Sequence, residues 1–179
     1  MRVSAIVLAR GGSKGVPRKN IIDFCGKPLL AWTVEQCIYA KGVDDVWVSS
    51  DDLEILKIAR QFGARTILRP GNISGDQATS ESGWLHALDH IERETSIVDL
   101  VVAPQVTSPL REPSDISCAI EDIKAQNLDS LLSVTTIEDF FMWRSGMLGS
   151  PESVNYDYQD RQPRQLIEKR FLENGSFYI

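Results

Sequence analysis

Apolar runs of strand length alternate with segments of helical period over residues 3–135. The first run, residues 3–9, is β-branched and has no polar alternation after Ser4, as expected for a strand buried on both faces. Four further runs of this kind read DVWVSS, RTILR, VDLVVAPQ and SLLSVT. The alternation predicts an α/β fold with a mostly parallel sheet, covered by helices on both faces. In such a sheet, ligands bind at the carboxyl ends of the strands.

Between these runs, apolar residues recur at the three- and four-residue spacing of amphipathic helices. The predicted helix faces are Leu30/Val34/Cys37/Ile38, Ile55/Ile58/Ala59/Phe62, Trp84/Leu88/Ile91 and Ile116/Ala119/Ile120/Ile123. Gly42 and Gly63 end the first two helices, and Asp51 and Asp52 precede the second, where we expect them to cap it. Thr79 or Ser80 is the expected cap of the third.

The last forty residues are aromatic or polar and irregular, until SFYI indicates the start of another buried strand. No linker or internal repeat divides the chain, so we predict one domain over residues 1–179. Because chains seldom end inside a core strand, we expect further chain after Ile179.

Charge is distributed unevenly along the chain, whose net charge is −6. The first 27 residues contain six Lys/Arg and one acid, and the remainder contains 13 Lys/Arg and 24 Asp/Glu. This acidity argues against binding to nucleic acid or to an anionic membrane. Cys25, Cys37 and Cys118 form no CxxC pair, and we interpret them as reduced core residues of a cytoplasmic protein. Residues 3–9 are too short for a signal peptide, and no apolar run is long enough to span a membrane.

Four of the basic residues lie in LARGGSKGVPRKN, residues 8–20, directly after the first predicted strand. The glycine spacing matches neither a P-loop nor a dinucleotide-binding fingerprint. Glycines allow backbone N–H groups to approach phosphate oxygens, and Arg10, Lys14 and Lys19 can neutralise a triphosphate and a leaving pyrophosphate. The loop is therefore predicted to bind an anion; a merely solvated basic loop is the alternative.

The motif VLARGGSKGVPRKN resembles the N-terminal signature of the acylneuraminate cytidylyltransferases. The resemblance continues in order through VWVSSD, FGA, LRP, QVTSPLR, DSLLSV and ENGSFYI. It implies a Rossmann-like three-layer nucleotidyltransferase fold. It also implies a Mg²⁺-assisted reaction in which the anomeric hydroxyl of a nine-carbon 2-keto sugar acid attacks the α-phosphorus of CTP.

The resemblance assigns roles to individual positions. Arg10, Lys14 and Lys19 match catalytic positions on the CTP phosphates. The matched nucleotide-binding positions are Leu8, Ala9, Arg10, Gly11, Gly12, Lys19, Asn20, Arg69 and Ser80. The matched substrate-binding positions are Gln105, Arg164, Asn174 and Tyr178, with Arg164 able to pair with the sugar carboxylate. Residues 137–175 match a segment that serves dimerisation and sugar contact, which implies a homodimer.

No aspartate of the chain matches the family's metal-binding pair, so we expect the Mg²⁺ ligands beyond Ile179. His86 and His90 are interpreted as a solvated helix face, because no HExxH glutamate lies between them. Arg111 is left open, as either functional or a complement to the acidic helix behind it. The alternatives to sialic acid are another sugar acid (legionaminate, KDN or Kdo) and a non-catalytic nucleotide-binding module.

Overall fold

The computed structural model of the chain describes residues 1–137 and 141–179, apart from the side chains of Leu148 and Arg164. These residues form two compact units, one of residues 1–133 with 175–179 and the other of residues 134–174. Among the described residues, no helix is both long enough and apolar enough to cross a membrane.

Residues 1–137 and 141–179 form ten strands and four α-helices. The strands are β1 (Val3–Leu8), β2 (Asp23–Phe24), β3 (Lys27–Pro28), β4 (Asp45–Ser50), β5 (Arg65–Leu68), β6 (Leu100–Pro104), β7 (Leu132–Ile137), β8 (Trp143–Ser145), β9 (Pro151–Ser153) and β10 (Arg170–Tyr178). The helices are α1 (Leu29–Tyr39), α2 (Leu53–Gln61), α3 (Ser80–Glu94) and α4 (Pro113–Gln126). All five predicted strands and all four predicted helices are present.

The described residues form a sheet of strand order β5-β4-β1-β6-β10-β7, and the first unit contains its first four strands, the start of β7 and the end of β10. β1 pairs in parallel with both β4 and β6, and β4 pairs in parallel with β5. A strand is present at SFYI, as predicted, but this run is the end of β10 and not the start of a strand, because β10 begins at Arg170. β10 pairs antiparallel with β6 through Phe177 and Tyr178. The carboxyl ends of β1, β5 and β6 therefore lie at one edge of the sheet, where ligands bind in folds of this kind.

Helices cover both faces of this sheet. Val3, Ala5 and Val7 of β1 are fully buried in a core cluster that includes residues of α1, α2 and α4. Ile6 points to the opposite face and packs with Ile91 of α3 in a smaller cluster. Because side chains alternate along a strand, β1 supplies both cores and is buried throughout, as predicted.

The helix ends follow the predicted signals in part. The Asp52 carboxylate caps α2 by accepting hydrogen bonds from the Glu54 and Ile55 amides, at 2.8 and 3.3 Å. Asp51 does not cap the helix and accepts a loop amide instead. Thr79, not Ser80, caps α3 by accepting the Ser82 N–H at 3.2 Å.

Two core expectations were wrong. Cys25 and Cys118 are exposed, and only Cys37 is buried, where desolvation raises the pKa of its thiol to about 12. Cys25 lies in the tight β2–β3 turn with φ 53°, and Cys118 falls between the apolar positions of α4. Ile38 is 43% exposed although it was assigned to the apolar face of α1.

The second unit contains a β8–β9 hairpin, in which Trp143 pairs with Ser153. Aromatic side chains pack beside it: the ring centroids of Phe141 and Tyr156 are 4.3 Å apart, and those of Trp143 and Tyr156 are 5.7 Å apart. The assignment of residues 137–175 to dimerisation and sugar contact stays a prediction.

Candidate active site

A cavity of about 470 Å³ opens at the carboxyl ends of β1, β5 and β6. Ligand sites in proteins are typically clefts of about 300–1,000 Å³, so a small molecule fits. The predicted site residues that line it are Leu8, Arg10, Lys14, Lys19, Asn20, Arg69, Ser80 and Gln105. Residues separated by almost a hundred positions in the chain are thus brought to one place, as the strand pattern required.

The basic loop leaves β1 under tight restraint. The Ala9 amide donates to the Ser49 carbonyl at 3.0 Å, and the Gly11 amide donates to Asp51 Oδ1 at 3.0 Å. A Cβ atom on Gly11 would lie 2.8 Å from Asp52 Oδ2, so this close approach requires glycine. Ala9, Gly11 and Gly12 do not line the cavity, and the Gly11 N–H is already donated to a carboxylate. In this structure, the loop presents side chains to the cavity more than backbone amides.

Asn20 closes the loop at its far end. Its side chain is only 6% exposed, and its Nδ2 donates to the Arg10 carbonyl at 2.9 Å. This bond ties the end of the loop to its beginning. The second Nδ2 hydrogen and the Oδ1 acceptor are the remaining groups that Asn20 can offer to a ligand.

The four cations of the loop have different partners. Arg18, in the left-handed conformation with φ 54°, forms ion pairs with Asp52 at 3.3 Å and Glu54 at 2.5 Å. Its charge is therefore used to hold the loop against α2. Lys19 lines the cavity, is half-buried and has no ion pair with any residue of the described ranges.

Asp76 neutralises the other two cations at the rim of the cavity. Its Oδ1 lies 2.9 Å from Arg10 Nη1, and its Oδ2 contacts Lys14 Nζ. The hydrogen bond from Lys14 is the main cause that lowers the pKa of Asp76 below its ordinary value, about 3.8, with Arg10 acting in the same direction. Asp76 was missed from the sequence, although it is the one charged residue between Gly71 and Thr79.

Arg69 lies in the floor of the cavity and is 6% exposed. Its Nε donates to Ser74 Oγ at 3.1 Å, and Ser74 Oγ donates to the Pro70 carbonyl at 2.8 Å. Burial lowers the pKa of Arg69, the nearby Asp51 raises it, and Arg10 lowers it further. A Cβ on Gly83 of α3 would lie 2.9 Å from Arg69 Nη1, so a glycine makes room for the guanidinium.

Ser80 begins α3 and leaves its cap position to Thr79; it is exposed and lines the cavity. Trp84, which the sequence suggested as core, packs in the smaller cluster and also lines the cavity. The Tyr178 ring lies 6.4 Å from the Trp84 ring, centroid to centroid, but Tyr178 does not line the cavity.

Gln105 follows β6 and lines the cavity. Its backbone N–H donates to the Ser176 carbonyl at 2.9 Å. Asn174 is an exposed residue of β10 in the second unit. Arg164 begins a 3₁₀ helix there, and its side chain lies outside the described residues.

The described residues form no Mg²⁺ site built from protein ligands alone. Outside residues 138–140, no three His, Cys, Asp or Glu side chains are grouped so as to hold a metal ion. The carboxylates nearest the loop have other partners: Asp51 accepts the Gly11 amide, Asp52 caps α2 and Asp76 pairs with two cations. Arg10, Lys14 and Lys19 are the loop cations whose residues line the cavity.

Known proteins resemble the chain over its whole length. A family model described as cytidylyltransferase matches residues 4–155. N-acylneuraminate cytidylyltransferase A of Danio rerio is 36% identical over 180 residues, which cover 99% of this chain and 41% of that protein. Pseudaminic acid cytidylyltransferase of Campylobacter jejuni (strain 81-176) is 34% identical over 182 residues, covering 100% of this chain and 78% of that protein. The chain spans about two fifths of the length of the fish relatives it matches.

Among solved structures, CMP:2-keto-3-deoxy-manno-octonic acid synthetase complexed with CTP superposes with a TM-score of 0.75 at 16% identity. The match covers 99% of this chain and 73% of that one. At this identity the likeness concerns the fold, and it confirms the predicted Rossmann-like three-layer nucleotidyltransferase fold.

Proposed function

The chain belongs to the cytidylyltransferase family, and we propose that it transfers CMP from CTP to the anomeric hydroxyl of N-acylneuraminate or a close nonulosonate. In this reaction the hydroxyl oxygen forms a bond to the α-phosphorus and its proton passes to solvent water. The bond from that phosphorus to the β-phosphate bridging oxygen breaks, and pyrophosphate leaves. The observation that carries the proposal is the group of loop cations, Arg10, Lys14 and Lys19, on a cavity of ligand size at the strand ends.

The loop cations suit the triphosphate end of CTP. Negative charge builds on the leaving pyrophosphate in the transition state, and positioned cations stabilise it without reorganisation. Lys19, half-buried and without an ion pair in the described ranges, is the best placed for this role. Arg10 and Lys14 become available once phosphate oxygens replace the Asp76 carboxylate.

Another part of the cavity lining suits the nucleoside. Arg69 and Ser80 lie at the end of β5 and the start of α3, and both line the same cavity as the loop. The Ser80 hydroxyl both donates and accepts, as recognition of the cytosine carbonyl and exocyclic amine requires. Trp84 adds an aromatic side chain to this part of the lining. We assign this part of the cavity to base and ribose.

Gln105, Asn174, Tyr178 and Arg164 are proposed to bind the sugar acid. Relatives named for sialic acid and for pseudaminic acid match this chain about equally well, at 36% and 34% identity. Both are named for nine-carbon 2-keto acids, so the proposal stands at the level of a nonulosonate. Mg²⁺ as cofactor, a homodimer and a cytoplasmic location remain predictions from the resemblance and the composition.

The test is pyrophosphate release by the full-length protein with Mg²⁺ and CTP. The acids to compare are N-acetylneuraminate, pseudaminate, KDN, legionaminate and Kdo, with UTP and ATP as nucleotide controls. Release with a nine-carbon acid and CTP supports the proposal and identifies the sugar. Pyrophosphate release with Kdo alone would mean that the substrate is an eight-carbon acid and not a nonulosonate. CTP binding without pyrophosphate release with any acid would contradict CMP transfer and favour a non-catalytic nucleotide-binding module.

Gly83→Ala is expected to weaken CTP binding. Alanine favours helix over glycine by about 1 kcal/mol, but the added methyl would lie 2.9 Å from Arg69 Nη1 and 3.0 Å from Leu8 Cδ1. Overpacking of this kind costs about 1–3 kcal/mol and displaces Arg69 from the cavity wall. We expect the KM for CTP to rise about tenfold, equivalent to about 1.4 kcal/mol. A higher melting temperature with an unchanged KM would show that Arg69 moves freely.

Asp76→Asn is expected to tighten CTP binding. The carboxylate holds the Arg10 and Lys14 cations that the phosphates need, so removing its charge removes a competitor. For groups exposed to solvent, a gain of about 3- to 10-fold in affinity is reasonable. Isothermal titration with CTP measures it, and Asp89→Asn, an exposed carboxylate paired with Arg93, is the matched control. Weaker binding would mean that Asp76 orients the cations.

The same contacts set the pH range of this competition. The pKa of Asp76 is lowered in the folded protein, so its ion pairs are present above the ordinary carboxylate pKa and are lost only as the pH falls through the lowered value. We therefore expect the affinity ratio between Asp76→Asn and the unmodified protein to stay constant from pH 6 to pH 8. A ratio that varies across this range would identify a second titrating group.

A further inference from the structure

Arg111 is a buried cation whose hydrogen-bond partners are all neutral. The side chain is 7% exposed. Its Nε donates to Gln36 Oε1 at 3.0 Å, and its Nη2 donates to Thr33 Oγ1 at 3.0 Å and to the Gln105 carbonyl at 2.9 Å. Its Nη1 donates to the Ser176 carbonyl and to Ser176 Oγ, the latter at 3.2 Å. The guanidinium thus joins three segments that are far apart in the chain.

One side of this network is fixed to α1. Thr33 is fully buried and Gln36 is 7% exposed, although both are polar and lie on the core-facing side of the helix. Gln36 Nε2 donates to the carbonyls of Pro109 and Arg111, at 2.7 and 2.8 Å. These two buried side chains therefore hold the Arg111 backbone and side chain against a rigid element.

The other side of the network holds the cavity residue Gln105. Its carbonyl accepts from Arg111, and its amide donates to the Ser176 carbonyl, which Arg111 also contacts. Ser108 Oγ donates to the Gly175 carbonyl at 3.1 Å. Gly175 has φ 63°, and a Cβ there would lie 3.4 Å from Gln105 Oε1. This part of β10 therefore packs directly on the side-chain amide of Gln105.

We propose that Arg111 is a positioning residue for the sugar-acid half of the site, because it locks Gln105 and the Gly175–Ser176 segment of β10 into one arrangement anchored on α1. The inference rests on the proposed function, in which Gln105 contacts the sugar acid. Only a planar guanidinium reaches acceptors on three segments at once; the single nitrogen of a lysine keeps the charge but not the fork. Arg111 itself does not line the cavity.

Arg111→Lys is the decisive variant. We expect the KM for the nonulosonate that the unmodified enzyme uses to rise at least tenfold, while the Kd for CTP, measured by titration calorimetry, changes less than twofold. Hydrogen exchange provides a readout that does not depend on turnover. In Arg111→Lys, the backbone N–H of Gln105 should exchange at least tenfold faster than in the unmodified protein. Arg111→Gln, which keeps an amide donor but loses the fork, should change both measurements in the same direction if the lysine variant does not fold.

Thr33→Val is the matched control. It removes one buried acceptor of the same guanidinium but leaves the bonds to Gln105 and Ser176 in place. It should lower the melting temperature without changing the KM for the acid or the exchange of the Gln105 amide. An equal KM increase in Thr33→Val, or a CTP affinity that falls as much as the acid KM rises in Arg111→Lys, would overturn the positioning role.

Failure of the proposed function is recognised separately. If the unmodified protein releases pyrophosphate with no acid, the function fails, and the Gln105 exchange rate still decides whether Arg111 holds Gln105. If the unmodified enzyme turns over and Arg111→Lys keeps both the acid KM and the slow Gln105 exchange, the function stands and the inference is wrong.

Discussion

We expect Lys19→Ala to lower kcat by about 10²–10³-fold, the range measured when one preorganised donor to developing charge is removed. Lys19 lines the cavity and has no ion pair among residues 1–137 and 141–179, so its charge is available to the phosphates. The lost interaction strengthens as charge moves to the leaving pyrophosphate, so kcat should fall more than CTP affinity. Steady-state pyrophosphate release measures kcat, and calorimetric titration with CTP measures the affinity.

Arg18→Ala is the control for Lys19→Ala. Arg18 is the neighbouring cation, but its guanidinium is paired with Asp52 and Glu54 and does not line the cavity. We expect its kcat to stay within about threefold of the unmodified enzyme, with only a small loss of stability, because exposed ion pairs contribute about 0–1 kcal/mol. Equal losses of kcat in the two variants would show that the general positive potential of the loop matters, and not the position of Lys19.

The alternation of apolar runs predicted the sheet and its helices because each element has a strong local period. β1 has no polar alternation and is buried on both faces, and the stripes of α2 and α4 coincide with their buried sides. The two-residue strands β2 and β3 were missed, since a short hairpin of exposed residues has no hydrophobic pattern. The direction of β10 was not predicted either, because strand pairing depends on partners about seventy residues away.

The candidate site was also predicted only in part from the sequence. The residues that the resemblance placed on CTP include several whose side chains line one cavity, because they follow consecutive strands that end at one edge of the sheet. Asp76 and Arg111 were missed or left open because their roles consist of contacts across 66 and up to 78 residues of sequence. A lone carboxylate in a polar segment of a chain with a basic loop was the available signal for Asp76.

The positive loop in an acidic chain is balanced locally. Each of three acids beside the loop holds a different part of it: Asp51 the Gly11 amide, Asp52 the Arg18 side chain, and Asp76 the Arg10 and Lys14 side chains. The loop therefore has a defined shape before CTP arrives, which reduces the conformational entropy lost on binding. Asp76 is the acid of the three that pairs with the cations lining the cavity, so under the proposed function its charge is the one that CTP replaces.

We expect Asn20→Asp to weaken CTP binding more than Asn20→Ala. The buried Nδ2 donates to the Arg10 carbonyl, and alanine leaves that carbonyl without its donor, at a cost of about 1–3 kcal/mol. Aspartate has nearly the same shape, but it sets a carboxylate against the same carbonyl and adds negative charge beside the triphosphate. An uncompensated buried charge costs about 3–5 kcal/mol, so we expect CTP affinity to fall about tenfold for alanine and more than 100-fold for aspartate.

The affinities of these two variants for CTP and for dCTP separate two roles of Asn20. If Asn20 acts by closing the loop, both variants lower the melting temperature, and dCTP and CTP lose affinity equally. If it also contacts the ribose, as the resemblance implies, the loss in Asn20→Ala is smaller for dCTP than for CTP, because dCTP lacks the 2′-hydroxyl. If the Asn20→Asp variant bound CTP as well as the Asn20→Ala variant, both roles of Asn20 would be contradicted. A carboxylate beside the Arg10 carbonyl would then carry no electrostatic cost.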